Sequence, residues 1–231
     1  MKSSAKILEE IKDILKTKWE RKKGDSVPEA EDVRLGNEAV CIEGAVLYAD
    51  LRGSTALVRN YKDFFAADIY KSFLRATCEV IRNNSGVITS FDGDRVMAVF
   101  VGNTKCSNAA RTGLQIHFIV TKINEKIKEV FHSTDYSINY SVGIDVSDLF
   151  IVRTGVRGAN DLAWIGNAAN VAAKLSEMSR INDRTFITKR LFDRLNEQSK
   201  IGGKNKECMW KNIGEAIEGE SVFSSSWTWK F

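Results

Sequence analysis

The apolar positions of the first twenty residues recur at helical spacing. Ile7, Leu8, Ile11, Ile14, Leu15 and Trp19 form one stripe, so residues 4 to 22 read as an amphipathic helix whose apolar face must pack on something. The polar stretch that follows, "GDSVPEAEDVRLGNEA", holds the only proline and reads as a connector. The pattern then changes. "AVLYAD" is a short, nearly unbroken apolar run, as expected of a central strand covered on both faces. After Thr55 the apolar period returns to three and four, which predicts a short turn of helix and then a long helix to about Arg82. "SGVITS" and "RVMAVFVG" predict two strands joined by the tight turn "FDGD", because Asp-Gly is the strongest short hairpin signal.

A second long helix is predicted over "TKCSNAARTGLQIHFIVTKINEKIKEVF", and "YSINYSVGIDVSDLFIVRTG" reads as one or two strands. The small-residue-rich "NAANVAAKLSEMSR" predicts a helix, "RTFITKRLFDRL" a strand then a helix, and the Trp-rich tail closing strands. This order of elements predicts an α+β fold in which helices cover a mostly antiparallel sheet. Residues 1–40 read as helix and connector, and residues 41–231 as one domain. A hydrophobic content of 43% over 231 residues supports a single substantial core, and one proline with no low-complexity linker argues against a second.

Charge narrows the partners. A formal net charge of +4 suits an anionic ligand but is too weak to imply nucleic acid. No apolar run reaches the length of a membrane span, and the N-terminus is charged throughout rather than leader-like, so a cytoplasmic protein with no membrane partner is expected. Cys41, Cys78, Cys106 and Cys208 are scattered without a C-x-x-C pair, which predicts buried free thiols in place of a zinc site. The two histidines, His117 and His132, lie near no nucleophile signature, and His117 falls in an apolar helix where packing is the expected role.

Two turns carry the chemistry. Asp50 ends the first central strand, and Asp94 ends the "FDGD" turn. Carboxylates delivered by neighbouring strands beside a glycine-containing loop are what a divalent metal pair bound to phosphates requires. In "RGST", Gly53 lets backbone approach closely, and the N–H groups and hydroxyls of Ser54 and Thr55 can hold phosphate oxygens. Asp50 could equally cap the helix that follows it. "WIGNAANVAAKLSEM" places Asn170 and Lys174 four apart on one helical face. An amide that orients a sugar and a cation that meets charge developing on phosphorus would form a transition-state clamp needing no histidine.

Together these residues resemble the class III nucleotidyl cyclases. "ADLRGST" matches that family's Asp-(Ile/Leu)-x-Gly-x-Thr strand end, "GDRVMAVF" its Gly-Asp-x-x-Met-Ala-x-Phe hairpin, and "GNAANVAAK" its later Gly-(Asp/Asn)-x-x-Asn-x-Ala-x-(Arg/Lys) helix. The resemblance covers about Gly44 to Ile187. It implies a ferredoxin-like core that pairs head to tail as a homodimer with composite sites. It further implies that Asp50 and Asp94, aided by the Leu51 carbonyl, bind two Mg²⁺ or Mn²⁺ ions, and that Gly53, Ser54 and Thr55 cradle the β- and γ-phosphates of a nucleoside triphosphate. Asn170 and Lys174 would come from the second subunit, and Arg153 or Arg157 would add charge to the triphosphate.

At the base slot this chain departs from the purine cyclases. The position four before the second aspartate is Ser90, and the position three before the glycine that opens the Asn-containing helix is Ala163; neither is a purine-reading side chain. Bulk appears nearby in Tyr48, which shares a strand face with Asp50, and in Phe91, Asp92 and Trp164. A narrowed slot favours a smaller base, and the pattern is similar to the bacterial pyrimidine cyclases of antiphage signalling, whose product a separate effector reads. Cyclic UMP is the expected product. Cyclic CMP, an adenylate cyclase with displaced base contacts, and a silent nucleotide-binding homologue remain the alternatives; Ser90, Asp92 or Arg95 could serve either pyrimidine.

Overall fold

A computed structural model describes residues 2–231. In chain order the elements are α1 (Ser4–Lys16), β1 (Glu20–Lys23), a single 3₁₀ turn (Ala30–Asp32), β2 (Glu38–Arg52), α2 (Ser54–Asn60), α3 (Asp63–Asn83), β3 (Val87–Asp92), β4 (Arg95–Phe100) and α4 (Lys105–Val130). There follow β5 (Asn139–Val156), β6 (Ala159–Ile165), α5 (Asn167–Ser176), β7 (Thr185–Thr188), α6 (Lys189–Asp193), α7 (Glu197–Lys200), β8 (Ile201–Gly202), β9 (Glu207–Cys208), β10 (Lys211–Ile217) and β11 (Glu220–Ser225). The main sheet runs β10-β11-β7-β5-β2-β4-β3, with β1 added beside β2 and β6 beside β5. Only the β1–β2 and β5–β7 pairs are parallel, so the mostly antiparallel α+β sheet read from the sequence is the one observed.

Strand β2 is buried on both faces, which is why its sequence reads as a continuous apolar run rather than an alternation. Its odd positions, Ala45, Leu47, Ala49 and Leu51, join Val96, Ala98 and Phe100 of β4 and Val142, Ile144 and Val146 of β5 under helices α3 and α4. Its even positions, Val40, Ile42 and Val46, join Met97, Val99, Leu149 and Ile151 beneath α5 and the connector residue Val33. Tyr48 and Asp50 continue this second row, so period 2 carries Asp50 onto the face that α5 covers.

Helix α5 lies unusually close to the sheet because residue 143 is glycine. A Cβ there would sit 2.1 Å from the Ala172 carbonyl oxygen and 2.4 Å from the Ser176 nitrogen. Gly143 pairs with Tyr48 across β5 and β2. The same close approach therefore brings the C-terminal half of α5 beside Tyr48 and Asp50.

Three expectations are corrected: the end of α1, the cover of its apolar stripe and the burial of the thiols. Helix α1 ends at Lys16, and Trp19 leads into β1 instead, packing edge-on against Phe150 at 5.3 Å between centroids. No residue of α1 is buried, and Leu8 and Leu15 are 64% and 80% exposed, so the apolar stripe meets no cover within the described chain. Strand β2 runs across residue 40, and β1 pairs with its first residues. Glu38 ties this region together, its carboxyl held down at about 2 by the Lys22 ammonium and by Arg34. The Trp-rich tail holds the expected closing strands, β10 and β11, between Trp210 and Trp227; Trp227 and Trp229 lie beyond β11 and pack against the core, with the Trp229 backbone N–H donating to the Leu114 carbonyl. Of the four free thiols, only Cys106 is buried and Cys208 is exposed. His117 contacts the Trp227 carbonyl at 3.1 Å and the Tyr140 ring, a packing role as expected.

Candidate functional site

Three adjacent strands build the acidic part of the site. The registers Asp50↔Arg95 and Arg95↔Asp92 set these side chains in one row across β2, β4 and β3, and Tyr48↔Met97↔Ser90 form the next row on the same face. Asp94 sits in the two-residue β3–β4 turn behind Gly93, whose φ of 61° is the left-handed conformation such a turn needs. The Leu51 N–H donates to the Asp94 carbonyl at 3.4 Å, which holds the turn against the end of β2. Asp50 and Asp94 are thereby brought together, as the spacing predicted.

Their environment is charged at a cost. Asp50 is half-buried, and its pKa is pushed up to about 6, first by desolvation and then by the neighbouring Asp94 carboxylate; Arg95 and Arg52 pull the other way. Two like charges on a partly dry face are what a divalent cation would relieve. No group of three or more His, Cys, Asp or Glu ligands occurs among the described residues. Two carboxylates and a carbonyl leave open positions for triphosphate and water oxygens, and this donor set suits Mg²⁺ or Mn²⁺, which keep such ligands, better than a zinc cage.

The turn from β2 into α2 follows directly. Gly53 adopts φ 75° with nothing within 4 Å of where a Cβ would lie, so the glycine serves the backbone turn and not packing. Ser54 opens α2 and Thr55 follows, exposed. No side chain caps this helix, so Asp50 is not its N-cap.

Helix α5 begins at Gly166, where the Ser147 hydroxyl accepts the Ala168 N–H at 2.9 Å. Ala168, Ala169, Val171, Ala172 and Leu175 are buried, while Asn170 and Lys174 are exposed on the outer side, one turn apart. The helix thus covers the Asp50 face with its small residues and turns its amide and ammonium away from that face. Lys174 pairs with Glu218 of the β10–β11 hairpin.

Other expected site residues fall less simply. Ser90 and Asp92 share the Tyr48 face, and Asp92 binds Arg95 at 2.8 Å. Phe91 is a correction: it pairs with Val96, in the row of Ala49, so it points to the opposite face and is 58% exposed. Ala163 pairs with Val152, which pairs with Ala39 near the start of β2, so strand pairing does not set it beside Ser90. Trp164 joins the cluster around Tyr48, Met97 and Val99. Arg153 donates to the Asn160 side chain at 2.6 Å within the β5–β6 hairpin, and exposed Arg157 sits at its tip; neither reaches the β2–α2 turn of its own chain through strand pairing.

Two cations lie beside Asp50: Arg52, which motif spacing does not mark, and Arg95, which the sequence offers only as a contact to the base. Arg52 donates to the carbonyls of Ser176 and Glu177, locking the end of α5 to the end of β2. Arg95 lies over the Tyr48 ring at 5.2 Å while paired with Asp92. The signal for Arg52 was its period-2 relation to Asp50, and Arg95 stands opposite Asp50 by strand register, which motif spacing does not carry. A cavity of about 660 Å³ lies elsewhere, at the other end of β2 among Arg21, Cys41, Glu43 and Phe150.

Comparison with known proteins bears on both fold and site. No family model matches the chain. It is 40% identical over 222 residues to a uridylate cyclase of Xanthomonas perforans, covering 94% of each chain, and 43% identical over 214 residues to a uridylate cyclase of Burkholderia cepacia, covering 92% of each. Among solved structures, an adenylyl cyclase from P. aeruginosa superposes with a TM-score of 0.69 at 18% identity, over 81% of this chain and 95% of that one. A guanylyl cyclase superposes with a TM-score of 0.67 at 13% identity, over 82% and 94%. The architecture is the class III cyclase fold.

Proposed function

Because the chain belongs to the uridylate cyclase family, we propose that it converts UTP to 3′,5′-cyclic UMP and pyrophosphate in a composite site shared by two copies. The observation that carries this reading is the pairing of Asp50 with Asp94 on the sheet face beneath α5, with the Asp50 carboxyl raised to about 6. Asp50, Asp94 and the Leu51 carbonyl would hold two divalent ions, Mg²⁺ or Mn²⁺. When bound, the ions supply acidification of the ribose 3′-hydroxyl and neutralisation of the triphosphate.

The chain's own groups do the rest. Gly53, Ser54 and Thr55 present N–H and hydroxyl donors to the β- and γ-phosphates, and Arg153 adds charge to the triphosphate. Asn170 orients the ribose of the site on the other subunit, and Lys174 meets the charge that grows at the α-phosphate as pyrophosphate leaves. The outward aim of both side chains, away from the carboxylates of their own chain, supports sharing between subunits.

At the base, Tyr48, Ser90, Asp92 and Ala163 form a slot without the purine-reading side chains, and Arg95, fixed between Asp92 and the Tyr48 ring, offers donors to a pyrimidine O4. The Arg95 placement favours uracil, because cytosine presents a donor at that position. Cyclic UMP is then a messenger for a separate effector, as in antiphage signalling. Incubation with each ribonucleoside triphosphate and Mn²⁺, followed by mass spectrometry, should give cyclic UMP as the main product. A dominant cyclic AMP peak would overturn the base-slot reading.

A further inference from the structure

The clamp lysine is the least ordered part of the site by its chemistry. An ammonium on a four-carbon stem lacks the planar fork with which arginine fixes its own direction. In this chain something else fixes it. Lys174 pairs with Glu218, the first of the two residues that turn β10 into β11.

That turn is built at a conformational cost. Glu218 has φ 50° and Gly219 φ 80°, and a two-residue turn with positive φ at both central positions favours Asn or Gly first, not Glu. A non-glycine residue held in the left-handed region points to a job for its side chain. The hairpin that carries it is fastened to α5 twice more. Ile213 and Ile217 pack against the cluster of Val171 and Leu175, and Arg180, beyond the end of α5, binds Glu215 at 2.8 Å. Glu218 is therefore a carboxylate on a fixed base, facing a cation on a loose stem.

We infer that Glu218 is a positioning residue for Lys174, holding the ammonium in the direction from which it meets the α-phosphate and supplying the order that arginine would bring for itself. The pair is exposed on both sides, with side chains 52% and 59% accessible, so the triphosphate can draw the ammonium across without breaking a strong bond. The inference rests on the role proposed for Lys174.

Glu218→Gln removes the charge and keeps the shape, whereas Glu218→Gly removes the carboxylate and relieves the turn. Both should lower kcat for cyclic nucleotide formation by about tenfold, the scale of a mispositioned catalytic group, with KM within about twofold. The melting temperature of Glu218→Gly should be equal to or above the parent's, because glycine adopts the left-handed turn freely. In a Lys174→Arg background the loss of Glu218 should cost kcat less than about twofold, since the guanidinium carries its own fork. Parental kcat in both single variants, or an equal loss in the Lys and Arg backgrounds, would overturn the inference. Full turnover by Lys174→Ala would instead overturn the assignment of Lys174 itself.

Discussion

Asp50 ends a strand buried on both faces, whereas Lys174 projects from the outer side of a helix whose inner side is alanine. The acidic half of the site is rooted in the sheet and gives up stability for it, since desolvation and Asp94 hold Asp50 at about 6. The basic half is on the surface, carries no desolvation burden and is ordered by a pair with Glu218. The two halves are joined where α5 packs on β5 at Gly143 and where Arg52 ties the end of α5 to the end of β2, and they face apart. That division is what the proposed sharing of each site between two copies requires.

The largest expected effect tests that division. Asp50→Ala and Lys174→Ala should each abolish turnover with the dimer intact by light scattering. An equal mixture, or the pair co-expressed, should recover activity, because one of the two sites in a mixed dimer keeps all its residues. Asp94→Ala mixed with Asp50→Ala should recover nothing, since both lesions fall on the same half. Recovery in the second mixture, or none in the first, would show that the halves do not come from different chains.

The joint between the halves is the next test. Gly143→Ala would drive a Cβ into the Ala172 carbonyl oxygen and the Ser176 nitrogen, and neither is a side chain that can swing aside. Helix α5 would have to lift, at a cost of about 3 kcal/mol, or about 6–12 °C in melting temperature for a chain of this size. Turnover should fall with it, measured below the new melting point. A melting temperature within 2 °C of the parent and normal turnover would mean that the spacing of α5 from the sheet does not matter.

The acidic half was legible in the sequence because its information is local. Strand period places Asp50, and an Asp-Gly turn places Asp94, each within a few residues of an unmistakable pattern. The basic half was legible only as a helix with Asn170 and Lys174 on one face. Its partner Glu218 lies 44 positions away, in the turn between the closing strands of the tail, and neither strand's pattern says that this turn meets α5. Phe91 went wrong because an offset from a motif gives no account of strand parity. The stripe of α1 shows the same limit in the fold, since its period announces a helix and an apolar face but not what covers the face. Motif spacing did not mark Arg52 and offered Arg95 only as a contact to the base, yet both stand beside Asp50 because they share a strand end with it.

The smallest expected effect concerns what the acidic half gives up. A carboxyl whose folded pKa lies above its unfolded 3.8 is disfavoured as the anion in the folded chain. The penalty is absent below about pH 4, sets in between about 4 and 6, and is complete above 6. In a dry site the gap would amount to about 3 kcal/mol; solvent screening of a half-exposed group reduces it to about 1 kcal/mol. Asp50→Asn, measured in EDTA at pH 7.5, should therefore melt about 2–4 °C above the parent, and the difference should vanish near pH 4. Adding Mn²⁺ should raise the parent's melting temperature more than the variant's, since binding to the folded state stabilises it by mass action. A variant that melts lower in EDTA at pH 7.5, or that gains as much from Mn²⁺ as the parent, would show that the acids do not repel each other across an ion site.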